Sequence, residues 1–164
     1  MQIRTARLTD AEAIRGIYNR ATLTVATFDL EPRSLEEQQR WLALRSGAHV
    51  VLVADSGGTL AGFASLSPYR DRPAYRTTVE NSVYVDESHQ GKGVGKQLMT
   101  ELIDTARDHG FHSMIARIVS SNAPSIALHR GVGFEIVGVE KEVGRKLGRW
   151  LDVVVMQRML SVAH

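Results

Sequence analysis

The chain has 164 residues, no cysteine and a formal net charge of +2 at pH 7. Its length and its 43% hydrophobic residues fit a single domain over residues 1–164, large enough to bury a core without disulfides or metals. The missing cysteines exclude a disulfide framework, thiolate metal sites and a covalent acyl-cysteine intermediate. The small charge excess, without a basic tail, argues against a nucleic-acid partner.

The first residues of the chain, Met-Gln-Ile-Arg-Thr, lack the apolar run of a signal peptide. No stretch of the sequence approaches the length of a transmembrane span. We therefore expect a cytoplasmic protein with no membrane partner. No set of His, Asp and Glu residues has the spacing of metal ligands, so no metal is expected.

The chain begins with a pattern typical of one short strand and two capped helices. Residues 2–8 alternate loosely in polarity and predict the strand. Thr9 then opens a capping box, Thr-Asp-Ala-Glu, which predicts a helix over about residues 10–20. A second capping box at residues 34–37, Ser-Leu-Glu-Glu, starts another helix.

Three strands are predicted next. Residues 50–54 form an apolar run, and a turn with two glycines joins them to a second run over residues 60–66. This arrangement predicts an antiparallel hairpin. A polar, arginine-rich stretch at residues 67–76 then leads to a third strand over residues 77–86.

The rest of the chain predicts two helices and three strands. Apolar residues at i, i+4 intervals indicate a long amphipathic helix over residues 94–109. A strand follows at residues 114–119, and a short helix covers residues 125–130. Two final strands, with a polar loop between them, are expected at residues 134–143 and 150–160. The order β α α β β β α β α β β predicts an α/β (α+β) domain with a mixed sheet flanked by helices.

The most informative segment is a glycine-rich turn before the long helix. From Gln90 to Lys96 it reads Gln-Gly-Lys-Gly-Val-Gly-Lys. N–H groups at a helix N-terminus favour an anion, glycines let a diphosphate approach the main chain, and Lys92 and Lys96 add positive charge. The turn fits neither a Walker loop nor the G-x-G-x-x-G dinucleotide pattern. It fits Gln-x-x-Gly-x-Gly, with Gly93 and Gly95, whereas the alternative is a flexible connector with solvated lysines.

This pattern resembles the acetyl-CoA signature of the GNAT superfamily of N-acetyltransferases, Q/R-x-x-G-x-G/A. The resemblance covers nearly the whole chain, and four further segments are similar to the phosphinothricin and methionine-sulfoximine acetyltransferase branch. They lie at residues 78–85, 121–125, 128–134 and 148–153. The resemblance implies a GNAT-like domain with a mostly antiparallel central sheet, a homodimer, and direct transfer of an acetyl group from acetyl-CoA to an amine.

The resemblance also implies which residues bind acetyl-CoA. The backbone of residues 83–85 is expected to hold the pantetheine arm, the turn at residues 90–96 the diphosphate, and Asn122 a further part of the cofactor. In the family, a bulge in the strand that corresponds to residues 77–86 splays the sheet. It frees a main-chain N–H near Val85, which would stabilise the oxyanion. The expected cofactor-binding residues are Val83, Tyr84, Val85, Gln90, Gly91, Lys92, Gly93, Val94, Gly95, Lys96 and Asn122.

Two side chains are candidates for the proton transfers of the reaction. Alternation places Glu80 on one face of its strand with Ser82 and Tyr84, where a carboxylate can take a proton from the amine. Spacing alone does not separate this role from that of an exposed strand carboxylate, and the resemblance favours the general base. His129 lies near the place where many GNAT enzymes have a tyrosine that can protonate the leaving thiolate. Acid, base and positioning roles stay open for His129, beside the alternative of a helix-surface histidine.

The acceptor pocket is predicted from cations that stand beside aromatic side chains. Guanidinium groups suit bidentate capture of a carboxylate or phosphinate, so the expected acceptor is a small, anionic, amino-acid-like amine. For any single arginine the alternative is a solvated basic loop. The expected substrate-binding residues, with Phe28 as part of a lid, are Phe28, Arg70, Arg72, Tyr75, Arg76, Lys146 and Arg149.

Other interpretations stand beside this one. The acceptor amine could belong to a peptide N-terminus, a polyamine or an antibiotic. The chain could also be a regulatory module that binds acyl-CoA without transferring it. Glu80 and His129 argue against the module, because a pure binder needs neither.

Overall fold

The computed structural model describes residues 1–45 and 47–160. The predicted domain bounds of 1–164 therefore include residue 46 and residues 161–164, which lie outside the described part. Strands and helices follow one another in the predicted order. Their bounds are β1 Gln2–Thr5, α1 Ala11–Thr22, α2 Leu35–Ala43, β2 Val51–Ser56, β3 Thr59–Pro68, β4 Thr78–Val85, α3 Val94–Asp108, β5 Ser113–Val119, α4 Ala123–Gly131, β6 Glu135–Lys146 and β7 Arg149–Met159.

The strands form one sheet in the order β1-β2-β3-β4-β5-β7-β6. Every neighbouring pair is antiparallel except β4 and β5, which are parallel. Helix α3 packs on one face through residues such as Leu98 and Leu102, and α1 packs on the other face through Ile14 and Ile17. The predicted fold class, a mixed and mostly antiparallel sheet flanked by helices, is confirmed.

The starts of the first two helices differ in how they are capped. At α2, Ser34 Oγ accepts a hydrogen bond from the N–H of Glu37 (3.1 Å), as the capping box predicts. At α1 the box predicted at Thr9 is wrong, because residues 8–10 form a 3-10 turn. Asp10 accepts instead from the N–H of Arg7 (2.7 Å), and the guanidinium of a neighbouring strand residue, Arg4, holds the same carboxylate.

The last two strands form a longer hairpin than the sequence predicts. β6 runs to Lys146 and β7 begins at Arg149, so the turn is Leu147 and Gly148 and not a six-residue polar loop. Both turn residues have positive φ, 52° and 74°, as a two-residue type I′ hairpin requires. A leucine in this conformation is uncommon, so composition gives no sign of the turn.

The sheet opens between its two parallel strands. The β4–β5 ladder starts at Thr78↔Ser113 and ends at Glu80↔Ile115, although β4 continues to Val85. The β3–β4 register runs without a shift from Gly62↔Val85 to Pro68↔Val79. The register against β3 therefore shows no bulge among the described residues of β4. The opening arises because β5 diverges from β4.

Candidate active site

A cleft of about 650 Å³ occupies the opening between β4 and β5. One wall is the end of β4, the opposite wall is β5 with the start of α4, and the glycine-rich turn closes one end. Of the residues expected to bind cofactor or to transfer protons, those that line the cleft are Val83, Tyr84, Val85, Gln90, Gly91, Gly93, Val94, Gly95, Lys96, Asn122 and His129. The lining also includes residues outside the expected set, among them Asn81, Arg117, Ser125 and Leu128.

The glycine-rich turn has a shape suited to an anion. Gly91 and Gly93 have φ of 74° and 81°, a left-handed conformation that glycine adopts without strain. Gly93 caps α3, so the N–H groups of the first turn have no carbonyl partner within the helix. Lys96 adds a cation to the lining, whereas Lys92 lies outside it in the described chain. The arrangement places main-chain donors and a positive charge at one end of the cleft.

The wall that contains the start of α4 is positioned by close packing between α3 and α4. A Cβ on Gly95 would stand 3.0 Å from Leu128 Cδ2, so α3 and α4 approach closely only because residue 95 has no side chain. At the start of α4, Asn122 Oδ1 accepts from the N–H of Ser125 at 3.3 Å. The cap fixes the end of α4 that faces the cleft.

The main chain of β4 presents hydrogen-bonding groups to the cleft. The N–H of Asp86 donates to Ala61 on β3 (2.8 Å), while Thr77 at the other end of β4 accepts from Ser113 on the β5 side (3.3 Å). Because successive residues of a strand direct these groups to opposite sides, the N–H of Val85 faces the opening. Val83 and Asn81 follow the same alternation. A donor near Val85 is thus available without a bulge.

Glu80 lies at the pair where the β4–β5 ladder ends. Burial raises the pKa of its carboxyl above the ordinary glutamate value, and Arg117 and Arg70 oppose the rise. Arg117 Nε is 4.0 Å from Glu80 Oε1, and its Nη2 is 2.5 Å from Glu140 on β6. A carboxylate with a raised pKa is a better proton acceptor near neutral pH. In the sequence, Arg117 stands out as a charged residue within the otherwise apolar run of β5, and this is the sign by which it could have been predicted to belong to the site.

His129 is buried, with 2% of its surface exposed, so it is not a helix-surface histidine. Its Nδ1 is 2.7 Å from the Ser125 carbonyl, and its Nε2 is 3.0 Å from Asn81 Nδ2. Its ring packs edge-on against Phe134 at a centroid distance of 5.0 Å. Burial lowers the pKa of His129, and the hydrogen bond to Ser125 opposes this in part.

Lys146 and Phe28 meet at a loop between α1 and α2. Lys146 is buried, and its Nζ donates to the carbonyls of Thr27 and Asp29 at 2.7 Å each. Phe28, between those two residues, lies against Gly144 of β6, where an added Cβ would be 2.7 Å from its ring. The ammonium group therefore holds the loop that carries the predicted lid residue.

All seven residues expected to bind substrate, Phe28 and Lys146 included, lie outside the described lining of the cleft. Arg70 stands over Tyr69 at 4.9 Å, and Tyr75 packs edge-on against the same ring at 5.4 Å. Arg70 is near enough to Glu80 to influence the pKa of that carboxyl. Arg72, Arg76 and Arg149 are exposed in this structure.

Within residues 1–45 and 47–160, no group of three or more His, Asp and Glu side chains is arranged to hold a metal ion. No helix in the same ranges is long and apolar enough to cross a membrane.

The family of this chain follows from its match over most of its length. Residues 3–155 match the acetyltransferase (GNAT) domain. The chain belongs to the GNAT acetyltransferase family. The opening between the parallel strands and the glycine-rich turn both lie within the matched residues.

Curated relatives of this GNAT chain have related names. L-amino acid N-acyltransferase MnaT of Escherichia coli (strain K12) is 43% identical over 163 residues, which are 98% of this chain and 95% of the relative. L-methionine sulfoximine/L-methionine sulfone acetyltransferase of Pseudomonas aeruginosa is 44% identical over 162 residues, with 97% and 94% covered. Phosphinothricin N-acetyltransferase of Streptomyces coelicolor is 37% identical over 165 residues, with 98% and 96% covered. The predicted resemblance to this branch is confirmed.

A solved GNAT structure agrees closely with the fold. The acetyltransferase yncA of Salmonella typhimurium, solved with its cofactor acetyl-CoA, superposes with a TM-score of 0.96 at 42% identity. The match covers 100% of this chain and 96% of that one. The predicted acetyl-CoA dependence agrees with this finding.

Proposed function

We propose that this GNAT enzyme transfers the acetyl group of acetyl-CoA directly to the amino group of a small, anionic, amino-acid-like molecule. The observation that carries the proposal is the cleft itself. It has anion-binding N–H groups at the glycine-rich turn. The carboxylate of Glu80 lies outside the described lining, at the residue pair where β4 and β5 separate. A thioester cofactor with a diphosphate at its far end suits such a cleft.

The turn and β4 would hold acetyl-CoA. The N–H groups of residues 93–96, with Lys96, would bind the diphosphate. The main-chain groups of Val83 and Val85 would pair with the pantetheine arm, as a strand pairs with its neighbour. Asn122 would contact the cofactor from the start of α4. Acetyl-CoA supplies the acetyl group as a thioester.

Glu80 would act as the general base. A free α-amino group has a pKa of about 8, so the amine must lose a proton before it can attack. Glu80 takes that proton, directly or through a water, and the N–H of Val85 stabilises the negative charge that develops on the carbonyl oxygen. The chain has no cysteine, so the acetyl group passes directly to the amine within a ternary complex.

The acceptor class is supported by relatives and by charge. The relatives are named for L-amino acids, methionine sulfoximine and phosphinothricin. Arg117 and Arg70 both influence Glu80, so they are cations near the reacting amine. We propose that the arginine-rich stretch around Arg70, with Arg72, Tyr75 and Arg76, binds the acid group of the acceptor. Phe28 and Arg149 would act at the rim, with Phe28 on the loop that Lys146 holds.

We also propose that the enzyme is a homodimer in the cytoplasm, where acetyl-CoA is available, with no nucleic-acid or membrane partner. The support for the dimer is β6, an edge strand with exposed apolar side chains. Edge strands with such side chains tend to pair with another chain. The exposed apolar residues of β6 are Ile136, Val137, Val139 and Val143.

A substrate panel tests the proposed activity. Thiol release from acetyl-CoA would be followed with methionine sulfoximine, phosphinothricin, other L-amino acids, a peptide amine, a polyamine and an aminoglycoside. Turnover with the anionic amino acids supports the proposal, and turnover only with the other amines would replace the acceptor class. Binding of acetyl-CoA without turnover by any amine would favour the regulatory module.

A further inference from the structure

Three residues that line the cleft, Asn81, His129 and Ser125, form a hydrogen-bonded chain between its two walls. The Ser125 carbonyl can only accept, so His129 Nδ1 at 2.7 Å must carry a hydrogen. His129 Nε2 faces Asn81 Nδ2 at 3.0 Å, which is a donor. With the amide of Asn81 in this orientation, Nε2 accepts and carries no proton. The imidazole is neutral in this arrangement, with its tautomer fixed from both sides.

Charges around the ring favour the same state. The titratable side chains in the described lining of the cleft, besides His129, are Tyr84, His89, Lys96 and Arg117, and no carboxylate is among them. Glu80 projects from the opposite face of β4 and lies next to Arg117. A buried imidazolium without an anion is costly, and burial lowers the pKa of His129 accordingly.

Asn81 is poised between two arrangements. Its side chain is 6% exposed, its Nδ2 contacts Met99 Sδ (3.6 Å) as well as His129, and its Oδ1 is buried without a partner among the described residues. Rotation of the amide by half a turn would present Oδ1 to His129. That arrangement requires a proton on Nε2, and hence an imidazolium, because Nδ1 keeps its own proton on Ser125.

We propose that Asn81 is a positioning residue, which holds His129 as a neutral imidazole protonated on Nδ1. His129 then braces β4 against the first turn of α4 and does not protonate the leaving thiolate. The reference to a thiolate rests on the proposed function, but the protonation state does not. The brace joins residues 48 positions apart at the level where β4 leaves β5. Losing it would let the two walls of the cleft move relative to each other.

The first test determines directly which ring nitrogen of His129 carries the proton. Nitrogen-15 NMR of protein labelled at its six histidines identifies which ring nitrogens carry hydrogen, with His129 assigned by its loss in His129→Gln. We expect Nδ1 protonated and Nε2 unprotonated at pH 7, with Nε2 taking up its proton only below the ordinary histidine pKa of about 6.5. A proton on Nε2 at pH 7 in the wild-type protein would overturn the proposal.

A second test uses Asn81→Asp, with Gln39→Glu as the control. A carboxylate at residue 81 only accepts, so it should stabilise the imidazolium, and both ring nitrogens should be protonated at pH 7. At pH 7 the imidazolium still pairs with the carboxylate, so the brace persists and thiol release should stay near the wild-type rate. As the pH rises and His129 loses its proton, two acceptors face each other, the brace is lost, and thiol release should fall relative to wild type. Gln39 is exposed on α2, and its variant should match wild type in spectrum and rate.

The outcomes separate the two proposals. A loss of activity that is equal at every pH would mean a merely structural role for Asn81 and would overturn this inference. If Asn81→Asp does not fold, the wild-type spectra still decide. If wild-type protein transfers no acetyl group to any amine, the proposed function fails while the protonation state of His129 is still measured.

Discussion

Glu80 Oε1 and Arg117 Nε lie 4.0 Å apart, at the point where the two parallel strands begin to separate. The same guanidinium is closer to Glu140, at 2.5 Å. Arg117 therefore interacts more strongly with Glu140 than with Glu80, and the pKa of Glu80 stays above its ordinary value because burial outweighs the cation. This relationship lets a carboxylate beside two arginines act as a base near neutral pH.

Replacing Glu80 with Gln should lower kcat by about 10²- to 10⁴-fold, the usual contribution of a general base. Binding of acetyl-CoA should change little, because the amide keeps the size of the side chain. Steady-state thiol release and calorimetric titration with acetyl-CoA measure the two effects. Glu101→Gln, at an exposed position on α3, is the matched control. An unchanged kcat would remove Glu80 from the mechanism.

The pH dependence of kcat/KM should follow the same carboxyl. The base acts when it has lost its proton, so activity should fall as the pH drops through a pKa above the ordinary glutamate value of about 4.3. Arg117 favours the carboxylate, so Arg117→Gln should raise that pKa further and move the fall in activity to higher pH. Measurements of kcat/KM against pH for both proteins locate this fall in activity. If the fall in kcat/KM stays at the same pH or moves to lower pH, a group other than Glu80 controls it.

The sequence predicts most of the fold because its strands and helices have clear periodicity, and the turn before α3 has an unusual glycine pattern. It predicts less of the site, since long-range contacts are not visible in spacing. Asn81 and His129 are 48 positions apart, and only the fold brings them to 3.0 Å. The sequence predicts Lys146 to be a substrate-binding cation, whereas in the structure its ammonium group is buried against the carbonyls of Thr27 and Asp29. Buried partners of this kind depend on the tertiary structure.

Gly93→Ala tests the shape of the glycine-rich turn. An added Cβ would meet nothing within 4 Å, so the cost comes from the φ of 81°, about 1–2 kcal/mol for a residue with a side chain. Relaxation of that angle would redirect the N–H groups of the turn. The Kd for acetyl-CoA should therefore rise by about tenfold, the equivalent of 1.4 kcal/mol.

The control for this variant is Gly16→Ala. Gly16 is exposed in α1, and an added Cβ there also meets nothing within 4 Å. Alanine in a helix interior should raise the free energy of unfolding by about 0.5–1 kcal/mol. Binding of acetyl-CoA should not change. Chemical denaturation and calorimetry measure both variants, and equal affinities for Gly93→Ala and wild type would mean that the turn does not hold the cofactor.

Lys146→Met tests the anchoring of the lid loop. The change leaves two carbonyl groups without their donor, so the free energy of unfolding should fall by about 1–3 kcal/mol. Because Phe28 lies in that loop, KM for the amine should rise more than kcat falls. Lys141→Met, at a side chain that is 77% exposed, should change stability by less than about 0.5 kcal/mol. A Lys146 variant as stable as this control would mean that the loop is held by other contacts.

The proposed homodimer depends on the exposed edge strand β6. Val139 is 47% exposed there, beside other apolar side chains. Val139→Lys places a charge on this edge, which natural proteins use to prevent edge-to-edge pairing. Light scattering coupled to size-exclusion chromatography should give a dimer for wild type and a monomer for the variant, whereas Leu23→Lys, at an exposed position after α1, should stay dimeric. A dimer that survives Val139→Lys would place the interface elsewhere, because a buried lysine without a partner is too costly for β6 to remain at the contact.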